Sequence, residues 1–195
     1  MQRALVPLKT RLDKFNSRDG LERGRSKSIE AIWYLFKIIF FVSSLPWPYY
    51  IKAMVLRLYG AKVGQGLVMK PRVNIHFPWK LNLGDHVWIG EDTFILNLEP
   101  ITIGSHSCIS QRVFLCTGNH NFRDPHFSYL NAPIIIGTGV WIGAGAIVCP
   151  GVSIGDEAVA FAGSVVTSDI AENSMVAGNP ARTRGQRWRD RNQCD

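Results

Sequence analysis

Five histidines supply the imidazoles of this 195-residue chain: His76, His86, His106, His120 and His126. Imidazole changes charge near neutrality, so each is a candidate proton acceptor. His120 stands apart. It follows Thr117-Gly118-Asn119 within Cys116–Pro133, a stretch where the otherwise regular spacing of apolar residues breaks down. Long connections in compact folds commonly carry function, although an ordinary loop histidine is the alternative. Covalent chemistry has less support. The cysteines, Cys108, Cys116, Cys149 and Cys194, form no C-x-x-C pair, and no Ser or Cys sits in a recognisable nucleophile motif. Three of the four fall inside the repeat and read as small packing residues in a reducing cytoplasm.

The elements that would position His120 follow from a period of six. Apolar residues recur at Val63, Met69, Ile75; Leu83, Ile89, Ile95; Ile103, Ile109, Leu115; then Ile136, Ile142, Val148; and Ile154, Ala160, Val166. The next residue is usually small, as at Gly64, Gly84, Gly104 and Gly143, and so is the one four positions on, as at Ser107 and Ala146. Six matches neither a single strand nor a helix. It predicts a three-sided prism of stacked parallel coils, mainly β, with one large inward residue per side and a small residue permitting each tight corner. Coils from Val63, Leu83 and Ile103 are 20 residues apart, whereas Ile103 and Ile136 are 33 apart. The excess falls in 116–133, which predicts a loop extruded at one corner. Glu91, Asp92 and Asn97 lie on neighbouring coils as candidates to orient a substrate or the base.

Charge divides the chain further. Residues 1–28 hold eight Lys/Arg against three Asp/Glu, and residues 182–195 five Arg against two Asp, while the total is +7. The body is therefore close to neutral between basic ends. A nucleic-acid reader carries its charge on a folded face interleaved with aromatics, so nucleic acid is not the expected partner. Basic ends suit anionic lipid headgroups or plain solubility. No secretory leader is read in the polar first 28 residues. Residues 29–59 form a hydrophobic, aromatic helical extension. Its apolar run from Ala31 to Val42 reaches only ~18 Å as helix, short of a ~30 Å hydrocarbon core, and Pro46 and Pro48 block its extension. Trp33, Trp47, Tyr49 and Tyr50 are the residue types of membrane interfaces. This extension either lies on a membrane surface, caps the open end of the prism, or does both. The expected organisation is a basic segment 1–28, the extension 29–59, a β-helix domain 60–181 and a basic tail 182–195.

Three motifs resemble the hexapeptide-repeat acyltransferases, and within them the maltose/galactoside and colanic-acid-type exopolysaccharide O-acetyltransferases. They are Thr117-Gly118-Asn119-His120; the run Ile136 to Ala146; and Gly163 to Ile170 followed by Ala177-Gly178-Asn179-Pro180-Ala181-Arg182. The resemblance covers about 63–183. It implies a left-handed parallel β-helix and a homotrimer with a site in each cleft between prisms. It implies acetyl-CoA as acyl donor, no required metal, and a sugar or lipid-linked oligosaccharide acceptor. By motif position His120 becomes the general base. Trp141, Gly143, Ala144, Ala162, Thr167 and Arg182 become donor-binding residues, with the backbone near Gly143 and Ala144 a candidate oxyanion site. Asn97, Glu91 and Asp92 remain candidates for the acceptor. There are departures: Ala144 stands where serine is common, Ser168 where lysine often follows, and Gly90 where the family has an acceptor-side Asn. Carbonic-anhydrase-like members of the same fold offer a zinc alternative through His86, His120 and His126, and a non-catalytic membrane scaffold is a third reading. The resulting expectation is direct acetyl transfer to a sugar hydroxyl in the cytoplasm, with a peripheral place on the inner face of the membrane left open.

Overall fold

The computed structural model describes residues 9–17 and 19–188. The outer parts of both basic ends, with Cys194, lie outside the described residues.

The six-residue frame becomes three parallel sheets that wrap one core. The first face stacks Lys62–Val63, Leu81–Leu83, Ile101–Ile103, Ile134–Ile136 and Ser153–Ile154. The second stacks Val68–Met69, Trp88–Ile89, Cys108–Ile109, Trp141–Ile142, Val159–Ala160 and Ser174–Ala177. The third stacks Asn74–Ile75, Phe94–Leu96, Phe114–Cys116, Ile147–Val148 and Val165–Val166. Register runs along the predicted frame. Val63 pairs with Leu83, Leu83 with Ile103, Ile103 with Ile136, and Ile136 with Ile154. Every frame residue from Met69 to Val166 is buried, and Val63 packs against the same cluster.

Corner chemistry differs from expectation in one respect. The small residue after each frame position does not supply the bend. It is required because the next coil passes close by: a Cβ on Gly84 would lie 2.5 Å from the Ser105 amide nitrogen. The left-handed residue comes two positions later, and at several corners it is not glycine. Arg72, His86, Asp92, His106 and Arg112 all have φ between 55° and 58°. Regular stacking holds them in a conformation that costs an isolated L-residue of order 1 kcal/mol.

At the N-terminal end the helical extension closes the prism. Helix α1 (Lys27–Lys37) starts at Ser26, whose hydroxyl accepts from the Ile29 amide, and passes into a π-helical turn, Ile38–Val42. Helix α2 (Tyr49–Leu58) starts directly after Pro48. The Gly64, Val68, Lys70, Asn74 and His76 amides of the first coil donate to the second, while part of its carbonyls face the extension. One side chain of the extension meets each face. Arg57 donates to the Val63 and Gly64 carbonyls, Lys52 to Met69 and Lys70, and the Trp33 indole to Ile75 and His76. Trp33 is therefore fully buried against Phe41 and Tyr59, not an interfacial aromatic.

The opposite end is closed by backbone. Residues after Ala181 are not simply a tail: Arg182–Gln186 returns as an antiparallel strand on Ser174–Ala177. Without it the last parallel strand would be an open edge. Arg187 donates to the Gly139 carbonyl and the Trp188 indole to Glu157, fastening the return.

Candidate active site

His120 sits on a hairpin that leaves the prism after Phe114–Cys116 and rejoins it at Ile134–Ile136. The root is riveted by buried Thr117, whose hydroxyl donates to the Leu96 carbonyl and accepts from the Glu99 amide, both at 2.9 Å. Above the root the arms pair. His120 bridges Tyr129, the Asn121 amide donates to Ser128, and the Leu130 amide to Asn119. The tip is organised by Asp124. Its carboxylate accepts from the amides of His126 and Ser128, and its carbonyl accepts from the amide of Phe127. The Ser128 and His126 contacts hold the Asp124 carboxyl below its ordinary range.

This turn places Phe127 in the left-handed region, φ 53°, and aims its carbonyl at His120. The Nδ1 to oxygen distance is 2.7 Å. A carbonyl only accepts, so neutral His120 carries its proton on Nδ1 and presents Nε2 as a lone pair. The imidazole is clamped by aromatics: Phe127 stacks at 4.3 Å, Tyr129 at 4.9 Å, and Phe15 meets its edge at 5.4 Å. Neither Phe15 nor Phe127 was legible as a site residue. Phe15 lies in a polar, basic segment with no motif, and the orienting group on Phe127 is a backbone atom, which leaves no side-chain signature.

Most of the proposed donor residues gather elsewhere. Trp141 points outward from the second face, 46% exposed, and its indole donates to the Ser110 hydroxyl at 3.0 Å. Gly143, Ala144 and Ala162 follow at the edge between the second and third faces. The Gly143 amide is already bonded to the Ala160 carbonyl at 2.7 Å, which removes it as an oxyanion donor. A Cβ on Gly143 would lie 2.5 Å from the Ala162 nitrogen, so its identity is set by coil stacking. A groove of ≈ 470 Å³ follows this edge, lined by Arg72, Glu91, Asp92, Gln111, Arg112 and the Ala144–Gly145 corner. Arg72 holds Asp92 at 2.7 Å and Glu91 at 3.1 Å. The Arg72 hydrogen bond keeps the Asp92 carboxyl below its usual range. Thr167 is exposed at the edge that follows the third face, and Arg182 is exposed on the returning strand.

Asn97 takes no part in any open surface. It is fully buried, its Oδ1 accepting from the Phe77 amide at 2.9 Å and its Nδ2 donating to the Phe77 carbonyl. Both ends of the amide are spent on the neighbouring coil, so the expectation of acceptor contact at Asn97 is corrected to a structural role. Among the described residues no group of three or more His, Cys, Asp or Glu is placed to hold a metal ion. His86 stacks on His106 at 5.1 Å, and His126 turns toward Asp124. Cys108, Cys116 and Cys149 are free and half-buried.

The candidate residues thus fall into two groups. The His120 hairpin is rooted where the third face ends, the edge that also carries Thr167, while Trp141, Ala144, Ala162 and the acidic–basic groove occupy the second face and the edge beyond it.

Comparison with known proteins is consistent along the chain. A family model described as the hexapeptide repeat of succinyl-transferase matches residues 133–168. A protein of Escherichia coli K12, provisionally named as the colanic acid biosynthesis acetyltransferase WcaF, is 40% identical over 170 residues, covering 87% of this chain and 93% of that protein. A hexapeptide-repeat acetyltransferase of Vibrio cholerae, solved with acetyl coenzyme A, superposes with a TM-score of 0.77 at 25% identity, over 84% of this chain and 89% of that one. A maltose O-acetyltransferase of Clostridium difficile 630 gives a TM-score of 0.75 at 27% identity, over 84% and 90%.

Proposed function

The chain belongs to the hexapeptide-repeat acetyltransferases, whose left-handed β-helix it shares, and on that premise we propose that it moves an acetyl group from acetyl-CoA to a sugar hydroxyl. The observation that carries this reading is the Nδ1 contact of His120 with the Phe127 carbonyl, because it leaves Nε2 as a fixed acceptor. In the proposed step the sugar oxygen attacks the acetyl carbonyl carbon as Nε2 takes its proton. A C–O bond forms, the thioester C–S bond breaks, and the proton passes from His120 to the departing thiolate. No acyl-enzyme is needed. General-base catalysis of this type contributes roughly 10²–10⁴-fold.

Donor contacts fall to Trp141, Ala144, Ala162, Thr167 and Arg182, and acceptor contacts to Glu91 and Asp92. The separation of the His120 hairpin from the donor groove supports a site completed by a second copy, within a homotrimer. The outer surface of the helical cap supports a peripheral place on the inner face of a membrane. Leu35, Ile38, Tyr50 and Leu58 are 62%, 57%, 74% and 75% exposed there, and no helix among the described residues is long and apolar enough to cross a bilayer. An acceptor carried by a membrane lipid, in exopolysaccharide or lipid-linked oligosaccharide assembly, would account for such a surface on a CoA-dependent enzyme.

Calorimetric titration with acetyl-CoA tests the donor assignment without knowledge of the acceptor. Saturable binding near one site per chain is expected. A folded protein that binds none at millimolar donor would remove the proposal. His120→Ala should keep that binding and lose at least about 100-fold in turnover; near-wild-type turnover would remove the base assignment.

A further inference from the structure

A recess under the cap, apart from Glu91 on its rim, is left unused by the acetyl-transfer step. The linker Pro46-Trp47-Pro48-Tyr49 overhangs the first coil and encloses ≈ 340 Å³ together with Lys70, Pro71 and Glu91. That volume is within the range of small-molecule sites. Its aromatic wall is fixed in place. The Trp47 indole donates to the Ile39 carbonyl at 2.8 Å, and its ring packs on Phe40 at 4.8 Å. Lys70 Nζ lies 3.1 Å from the Tyr49 hydroxyl. Two aromatic surfaces therefore meet an ammonium and a carboxylate. A pyranose has the matching character, since its C–H face is apolar and its rim carries hydroxyls that can both donate and accept.

The recess adjoins the groove described above. Glu91 lines both. Lys70 also lines a smaller depression with Trp88, Gly90 and Ser110, and Gln111 is shared between that depression and the groove ending at Ala144. At the other end, the residues flanking the linker are Leu45 and Tyr50, 58% and 74% exposed on the apolar outer side of the cap. Adjoining depressions thus lie between the exposed apolar surface and the corner assigned to the acyl donor.

We infer that the Trp47–Tyr49–Lys70 recess is a second sugar subsite, which holds the carrier-proximal sugar of a membrane-anchored saccharide while a more distal sugar reaches the acetyl group. This rests on the acetyl-transfer and membrane readings above. It adds a length requirement: the acceptor is at least two sugars long and enters lipid end last. Trp47 and Tyr49 grip the apolar ring face, and Lys70 and Glu91 set its orientation through the hydroxyls.

The test uses the full-length protein, with dodecyl β-maltoside and dodecyl β-lactoside below their micelle concentrations as probes, each against its methyl glycoside. Binding is read by saturation-transfer NMR and calorimetry, beside acetyl-CoA titration of the same samples. Wild type should bind at least one dodecyl disaccharide. Trp47→Ala and Lys70→Met should each weaken that binding by about tenfold or more, with acetyl-CoA affinity unchanged. Lys70 is exposed, so Lys70→Met gives the answer even if Trp47→Ala disturbs the cap. Equal binding by wild type and Lys70→Met, or no disaccharide binding by a wild type that still binds acetyl-CoA, would overturn the subsite and leave the acetyl-transfer reading standing. A wild type that does not bind acetyl-CoA would overturn both.

Discussion

His120 owes its proposed role to a carbonyl that another residue aims. Asp124 pins the tip of the hairpin through the amides of His126 and Ser128, and that turn sets the Phe127 carbonyl 2.7 Å from Nδ1. Asp124→Ala should release the turn. The expected outcome is a fall in kcat of about tenfold with acetyl-CoA affinity retained, since misplacement of a catalytic group by ~1 Å costs on the order of 10²-fold. Steady-state kinetics beside donor titration checks it. His76 makes a different prediction. Burial, reinforced by the charges of Lys37 and Arg23, lowers its imidazole to about 4 from a usual value near 6.5. Between those values the unfolded chain binds a proton that the folded chain refuses. Stability is therefore greatest above pH 6.5 and falls as the pH drops through the window to 4. Thermal melts from pH 7.5 to 4 should fall less steeply for His76→Gln, and an unchanged slope would dismiss His76 as the cause.

The cap is the element that makes the prism a closed object. Its three donor side chains satisfy carbonyls on all three faces of the first coil, and each carbonyl left unpaired in a buried place costs about 1–3 kcal/mol. Trp33→Phe keeps an aromatic ring against Phe41 and Tyr59 and deletes the N–H together with the pyrrole half of the indole. It should lower stability by about 1–3 kcal/mol, a fall of roughly 2–10 °C in melting temperature for a chain of this size. Differential scanning calorimetry reads this directly, and an unshifted transition would mean that water replaces the indole. The hairpin is the complementary element. It interrupts the repeat without loosening it, because Thr117 ties its root to the coil below.

At the scale of the whole molecule, the proposed donor residues and the exposed apolar surface of the cap are separated along the prism axis. The cap end presents Leu35, Ile38, Tyr50 and Leu58 to solvent, whereas the donor-side residues lie several coils away on the second face. Vesicle flotation is the direct measurement of what that end does. Wild-type protein should float with vesicles containing anionic lipid, and Leu35→Glu/Ile38→Glu should stay at the bottom of the gradient with its acetyl-CoA binding intact. The effect of the apolar side chains should persist in high salt, which weakens only the contribution of the basic residues. Equal flotation of both proteins would place the membrane contact elsewhere. Sedimentation of the same samples addresses the second copy proposed to complete the site, with a trimer expected.

The sequence by itself determined the prism. A period of six apolar residues can bury its large side chains only by stacking coils, so frame, register and the position of the extruded hairpin were all legible from spacing. It also singled out His120, through a motif and the break in that spacing. The sequence left undecided whether residues 29–59 cap the prism, because hydropathy does not distinguish an inward from an outward apolar face. Nor could it place Asn97, an open-looking polar residue whose amide is consumed by Phe77. Only the tertiary structure decided these, and it alone supplied the Phe127 carbonyl behind His120 and the Arg182–Gln186 return. In each case the deciding partner is a backbone group remote in sequence or set by a turn, and backbone atoms are the same at every position.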